Sequence, residues 1–309
     1  APNIRGDGAG VKTVNSRMTE NPLRLARALF APDSVALIGA SADAKKNTGR
    51  PQRYLADHGY PGRVVPINPN RDRVQGVEAF KAVADAPGPI DHAFIMVPAT
   101  AVPAAIEDCV RAGVTIATVY TDGFAETGCE GRRLQEQLVA TARAGGLRLI
   151  GPNCMGIICP ASRLMLSVNA ILESTDLPVG RLGIISQSGS MLGAMLSRGA
   201  ARDFGFSRMI SIGNEADLGV GEVMDLLVDD DATDSILLFL ESVRDGAAIG
   251  AAARRAFAAG KPVIAYKLGR SAEVVKSPSR TLAHSPARTP PPTLSSAPTP
   301  SPGSMCWRP

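Results

Sequence analysis

The decapeptide Arg181-Leu182-Gly183-Ile184-Ile185-Ser186-Gln187-Ser188-Gly189-Ser190 decides the fold of this chain. A short apolar run, 181–185, passes through a small hydroxyl-rich turn into 191–203, a stretch with helical spacing. A strand feeding directly into a helix opens a parallel β–α–β unit. Downstream, apolar runs at 207–212, 235–240 and 262–267 alternate with helical stretches at 220–228 and 247–259. Four strands with three crossovers predict a flavodoxin-like parallel-sheet domain over 181–273. Upstream, strands are expected at 34–39, 63–67, 91–97, 114–120 and 147–150, with helical segments between most of them, giving a Rossmann-like α/β domain over 24–155. Their near-continuous Val, Ile, Leu and Ala content suits strands buried on both faces. The irregular stretch 156–180 is expected to link the two domains, and 1–23 to be a flexible N-terminus.

Bulk properties narrow the function classes. A chain of 309 residues accommodates two such domains, and its 45% hydrophobic content is globular. No apolar run approaches the roughly 20 residues needed to cross a bilayer, and the N-terminus lacks the apolar core of a secretory signal. The expectation is a cytoplasmic protein with no membrane association. Cysteines at 109, 129, 154, 159 and 306, with three histidines in the chain, form no metal-ligand or disulfide pattern. The net charge of +4 resides in 274–309, which hold Lys276, Arg280, Arg288 and Arg308 and no acid; the remainder balances 29 bases against 29 acids. A neutral body with 4% aromatic residues argues against a nucleic-acid partner.

Chemistry-bearing residues cluster at the carboxyl ends of the expected strands, where open α/β sheets bind ligands. Gly39-Ala40-Ser41 follows the first strand, where it is expected to turn into a helix whose N–H groups receive phosphate. It lacks the GxGxxG spacing, and the second strand ends in Ile67-Asn68-Pro69 with no acid for a ribose diol, which counts against NAD. A tight glycine turn without a ligand is the plainer alternative. Val97-Pro98-Ala99 closes the third strand, and Gly151-Pro152-Asn153-Cys154 follows the fifth. A lone cysteine such as Cys154 is more often an inert buried residue than a nucleophile. The turn Ser188-Gly189-Ser190 offers free N–H groups to an anion; helix capping by Ser188 or Ser190 explains the same residues. It is no nucleophile elbow, because Gln187 stands beside Ser188 without the GxSxG glycines. Glu215 and Asp217 after the second strand of this half, and Glu241 in Leu240-Glu241-Ser242, place acids at strand ends, able to orient a histidine or bind a cation, with helix capping the commoner use for Asp217.

Taken in order, Leu37-Ile38-Gly39-Ala40-Ser41, Val97-Pro98-Ala99, Gly151-Pro152-Asn153-Cys154, Ser186-Gln187-Ser188-Gly189, Gly213-Asn214-Glu215-Ala216-Asp217, Leu240-Glu241-Ser242 and Lys267-Leu268-Gly269-Arg270-Ser271 resemble the nucleoside-diphosphate-forming acid–CoA ligases, relatives of the succinyl-CoA synthetase alpha chain. The resemblance covers about 250 of the 309 positions. It implies a CoA-binding first domain and a carboxylic acid substrate. In that family a separate ATP-grasp module, using ATP and Mg2+, phosphorylates a histidine; phosphoryl transfer then makes an acyl phosphate that the CoA thiol attacks. By the same resemblance Gly39, Ala40 and Ser41 approach the CoA nucleotide, Asn68, Pro69, Val97, Pro98 and Ala99 line its groove, and Asn153 and Cys154 lie near the thiol end. Ser188, Gly189 and Ser190 would cradle the phosphoryl group, and Glu241 would support the phosphohistidine.

The departures are as specific. The family places its histidine in a Ser-His-Thr-Gly-Ala-Leu-Ala-Gly type segment some ten residues after Lys-x-Gly-Arg-Ser, where this chain has Thr281. No ATP-grasp pattern is present, so the chain is expected to be inactive alone and to need an ATP-grasp partner. After Glu273 acids vanish, and nine of the last 36 residues are proline, which predicts a disordered tail over 274–309. Written in GC-rich codons and read two bases on, 279–293 spells Pro-His-Thr-Gly-Ala-Leu-Ala-Gly-Ala-Asp-Ala-Ala-Ala-Asp. The tail therefore reads as frame-shifted from just after Glu273, against the plainer alternative of a Pro/Ser-rich linker. Two functions stay open: a ligase portion that needs an ATP-grasp partner, or a non-catalytic CoA or acyl-CoA-binding regulatory module.

Overall fold

A computed structural model of the chain describes residues 21–269. The expectations for 1–20 and 274–309 lie outside the described residues. Asn21 caps the first helix, α1 (Pro22–Phe30), by accepting the Leu23 N–H at 3.1 Å, with Pro22 in the first turn, where its missing N–H costs nothing. The helix thus begins two residues inside the stretch expected to be flexible. An Asn-Pro pair carried that signal.

The first sheet follows as β1 (Ser34–Ile38), α2 (Arg50–Asp57), β2 (Arg63–Ile67), a two-residue-turn hairpin β3 (Arg73–Val74) and β4 (Val77–Glu78), β5 (His92–Ile95), α3 (Val102–Arg111), β6 (Ile116–Val119), α4 (Cys129–Ala144) and β7 (Arg148–Ile150). Its five strands are parallel in the order β2-β1-β5-β6-β7. Every residue of β1, β5 and β6 is buried, as the unbroken apolar runs required.

The second sheet comprises β8 (Gly156–Cys159), β9 (Leu164–Ser167), β10 (Val179–Ser186), β11 (Phe206–Ser211), β12 (Ser235–Leu240) and β13 (Val263–Lys267), with helices α5 (Gly189–Ala200), α6 (Val220–Val228) and α7 (Gly246–Ala258) in its crossovers. Its order is β13-β12-β10-β11-β8-β9. The four expected strands are parallel, and β8 joins β11 antiparallel, pairing Met209 with Ile158 and Ile210 with Ile157. The stretch 156–180 is therefore not merely a linker: the β8–β9 hairpin extends the second sheet. All eight hairpin residues are buried, with Ile157, Cys159, Leu164 and Leu166 on one side and Ile158 and Met165 on the other. Strands of four residues buried on both faces leave no period to read.

The residues after β11 run beside the end of β7. Asn214, Ala216 and Leu218 donate their N–H groups to the carbonyls of Pro152, Gly151 and Leu149 at 2.9–3.1 Å. Under this seam Asp217, whose side chain has no solvent exposure, accepts from Arg143 Nε (2.5 Å), Arg148 Nε (2.9 Å) and the Leu149 N–H (2.7 Å). Asp217 therefore ties the second half to α4 and β7; it is not a helix cap.

His92 in β5 is fully buried, with Nδ1 3.0 Å from the Ala28 carbonyl and Nε2 2.8 Å from Thr118 Oγ1. Burial lowers its pKa from the ordinary 6.5 to about 4. The folded state holds the ring neutral while the unfolded chain protonates it, so this contribution to stability is complete above pH 6.5 and is lost as pH falls towards 4. The loss amounts to about 3 kcal/mol. Urea unfolding from pH 7.5 to 4, for the wild type and His92→Leu, is expected to show a steeper acid loss in the wild type; parallel curves would refute it.

Candidate functional site

In the first sheet β1 has β2 on one side and β5 on the other, so the crossovers part between β1 and β5. That crevice is where such sheets take ligands. Gly39 stands at its centre with φ +86°, its N–H donated to the Ile67 carbonyl at 3.0 Å. A Cβ there would lie 3.0 Å from Val97 Cγ1 and 3.1 Å from the Met96 carbonyl, so only glycine allows the two strand ends to close up. Ala40 is fully buried, and its carbonyl accepts from Asn68 Nδ2 at 2.9 Å. Asn68 Oδ1 in turn accepts the Asn70 N–H at 2.9 Å, while Pro69 and Pro98 are exposed and Ala99 is half-buried beside Gly123. The structure thus assembles Gly39, Ala40, Asn68 and Val97 into one rim, with Pro69, Pro98 and Ala99 beside it.

Ser41 departs from expectation. The turn does not enter a helix; α2 starts only at Arg50, and 41–49 form a loop held by the Ser41 N–H on the Thr48 carbonyl at 3.1 Å. Polar Asn, Asp, Lys and Ser residues in this loop favour turns over helix. Gln75, absent from the sequence reading, completes it: from the β3–β4 turn its Nε2 donates to the carbonyls of Ser41 and Gly49, both at 2.9 Å. Its positive φ, beside Gly76, is the geometry of a two-residue hairpin turn, and no local motif marks the reach of the side chain.

The turn after β7 meets the second half. Asn153, at φ +57°, donates from Nδ2 to Asn214 Oδ1 at 3.3 Å. Asn214 Nδ2 donates to Gln135 Oε1 at 3.0 Å and to Glu126. Glu126 also accepts the N–H groups of Gly123 and Phe124; partial burial opposes its charge, yet these hydrogen bonds hold its carboxyl below the usual range. Cys154 is buried, donates to the Val119 carbonyl at 3.2 Å, and has its thiol pushed up to about 12 by burial. It is a packed protonated thiol, so any part it has near a ligand runs through the shape of the loop.

The second sheet repeats the arrangement. Its parallel strands run β13-β12-β10-β11, and the crossovers part between β10 and β12. Ser188 is the N-cap residue of α5, with no side-chain cap bond; its Oγ lies 3.2 Å from Ser190 Oγ instead. The capping alternative therefore fails for Ser188, and the first-turn N–H groups of a twelve-residue helix keep their attraction for an anion. Gly189 is required here because a Cβ would meet Met155 Cγ at 2.0 Å. Across the crevice Glu241 is exposed, with its carbonyl accepting from Lys267 Nζ at 2.8 Å. Arg270 and Ser271 lie outside the described residues. Among the described residues no helix is long and apolar enough to cross a membrane.

Comparison with known proteins follows the same division. Residues 33–160 match the model of a CoA binding domain and residues 179–287 that of a succinyl-CoA ligase like flavodoxin domain. The chain is similar to the alpha subunits of two acetate–CoA ligases (ADP-forming) of Pyrococcus furiosus. Ligase I is 35% identical over 81% of this chain and 54% of its own length, and ligase II is 38% identical over 78% and 51%. It is also similar to acetyl-coenzyme A synthetase 1 of Candidatus Korarchaeum cryptofilum, solved with phosphate and ADP, at 35% identity and a TM-score of 0.74 over 79% of this chain and 52% of that one. The chain thus spans about half the length of these relatives.

Proposed function

Because the chain is homologous to the alpha subunits of ADP-forming acid–CoA ligases and carries their CoA-binding and flavodoxin-like domains, we propose that it is the CoA-binding and phosphate-receiving portion of such a ligase. The overall reaction converts a carboxylic acid, ATP and CoA into acyl-CoA, ADP and phosphate. The ATP and Mg2+ chemistry belongs to an ATP-grasp domain or partner subunit, without which this chain is inactive. The observation that carries the reading is the pair of crevices. One is closed by Gly39 against Val97 and has no ribose-binding acid at the end of β2; the other is flanked by the α5 N-terminus and Glu241.

In this reading Gly39 to Ser41, Asn68, Pro69 and Val97 to Ala99 line the CoA groove, and Asn153 and Cys154 shape its thiol end. Ser188, Gly189 and Ser190 hold the phosphoryl group by backbone donation, and Glu241 orients the histidine that carries it. One observation favours a second reading, a CoA or acyl-CoA-binding regulatory module. Two of the three histidines, His58 and His92, lie in the first half, His58 against the Leu172 carbonyl and His92 against that of Ala28, and the described second half has none to phosphorylate.

Both readings require CoA. Isothermal titration is expected to give a Kd on the order of 1 μM for CoA, about −8 kcal/mol, and at least ~100-fold weaker binding of NAD. Heat from NAD and none from CoA would overturn both. Phosphorylation of the frame-restored chain beside an ATP-grasp partner separates them.

A further inference from the structure

The crevice between β10 and β12 is spanned by one side chain. Strand pairing stops at Ser186 against Phe239, followed by the Gln187 N–H on the Phe239 carbonyl at 3.1 Å. Beyond that point the helices diverge. Leu192 and Leu196 of α5 pack in one apolar cluster, while Val223 and Met224 of α6 and Ala252 and Ala256 of α7 pack in another, as right-handed crossovers leaving opposite sides of β10 demand.

Into this gap Gln187 places its amide and uses all four of its hydrogen-bonding positions. Oε1 accepts the N–H groups of Glu241 (2.7 Å) and Ser242 (2.9 Å). Nε2 donates to Glu215 Oε2 (2.8 Å) and to the Ser242 carbonyl (3.1 Å). Glu215 is itself fixed: its side chain is 4% exposed, its φ is +53°, its Oε1 accepts the Val220 N–H of α6 at 2.8 Å, and Arg244 Nε lies 3.9 Å from Oε2. With Lys267 on its carbonyl, Glu241 has both main-chain groups held, and its exposed carboxylate has no hydrogen-bond or ion-pair partner among the described residues.

We propose that Gln187 is a positioning residue that sets the Glu241 loop against the anion-binding turn Ser188–Ser190. The proposal rests on the reading that this turn takes phosphate and that Glu241 acts beside it. The chemistry of the site selects glutamine. A carboxylate at 187 would lose both donors and stand against the Glu215 carboxylate; leucine has the bulk and no polar atoms; asparagine is one methylene too short to reach Glu241 from β10. The next residue is Ser188, so the side chain that grips the acid's loop is covalently joined to the phosphate turn.

The test uses the full chain, inorganic phosphate, and four proteins: wild type, Gln187→Leu, Glu241→Gln and the double variant. In Q187L the Glu241 and Ser242 amides are expected to exchange at least ~10-fold faster, while those of Ile236 to Leu238 keep wild-type rates, which separates loop release from global unfolding. Phosphate affinity, followed by the NMR shifts of the Ser188 to Ser190 amides, is expected to rise at least ~3-fold on removing the Glu241 charge in the wild-type background and not in the Q187L background. A wild type that takes up no phosphate ends the reading of the turn. Wild-type exchange rates in Q187L, or an equal E241Q effect in both backgrounds, ends the proposal for Gln187.

Discussion

Asp217→Ala is expected to cost the fold about 3–5 kcal/mol, the range for breaking a buried ion pair by removing one partner. That is a large fraction of the 5–15 kcal/mol that holds a typical domain together. Asp217 has no exposed side-chain surface and satisfies two guanidinium groups and the Leu149 N–H at once. Arg148 is itself only 12% exposed. Burial opposes its charge, but the hydrogen bonds and attraction of Asp217 and Glu222 more than offset this and hold it protonated. Alanine would leave Arg148 with Glu222 at 2.8 Å and the Leu149 N–H without its carboxylate, at the seam where the 213–218 segment lies along β7. Asp217→Asn keeps the shape and one acceptor and is expected to lose less. Equilibrium urea unfolding decides it: a loss below about 1 kcal/mol for D217A would show that the pair contributes nothing beyond what solvated arginines recover.

The second large effect is all-or-none. As encoded, the chain is expected to take no phosphate from ATP even beside an ATP-grasp partner, and a chain whose frame is restored just after Glu273 is expected to acquire a phosphohistidine, acid-labile and base-stable. In that frame the missing histidine would straddle the codons of Arg280 and Thr281. Residues 280–287 largely fix the last two bases of each shifted codon and leave chiefly the first base free, so seven consecutive matches, His through Gly, would be hard to obtain by accident. The family match runs to residue 287 and does not by itself mark the break. The fold adds a physical argument. In a sheet of order 2-1-3-4-5 a fifth strand flanks the fourth; here β13, the fourth parallel strand, is the edge among the described residues, with Ile264 57% and Tyr266 56% exposed. Parallel strands are ordinarily covered on both faces. The coding DNA is the direct check: codons whose shifted frame does not spell His-Thr-Gly-Ala-Leu-Ala-Gly refute the idea.

How much was legible divides along a physical line. The strands expected at 63–67 and 235–240 and the helix at 220–228 match the observed elements residue for residue, and the other expected strands differ by at most two residues at either end. Apolar periodicity is local, and each of these segments carries enough of it to declare itself. The candidate residues at strand ends were equally readable, because parallel topology sends all carboxyl ends to one edge whatever the loops do. The β8–β9 hairpin is not legible because two four-residue buried strands offer no period, and the 41–49 loop is not because a glycine turn after a strand carries the same local signal as the start of a helix.

The amino-acid order alone determined two α/β units, their strand ends, the glycines at Gly39 and Gly189 and the absence of a ribose-binding acid. Only the tertiary structure decided what those ends touch. Gln187 meets residues 54 and 55 positions away, Asn153 meets Asn214 across 61, and Asp217 meets Arg143 and Arg148 across 74 and 69. Such partners are set by strand order and crossover hand, which no local pattern encodes. A side chain of unremarkable type, such as Gln75 reaching the Ser41 and Gly49 carbonyls, gains its role only when two distant loops are folded within 3 Å of it.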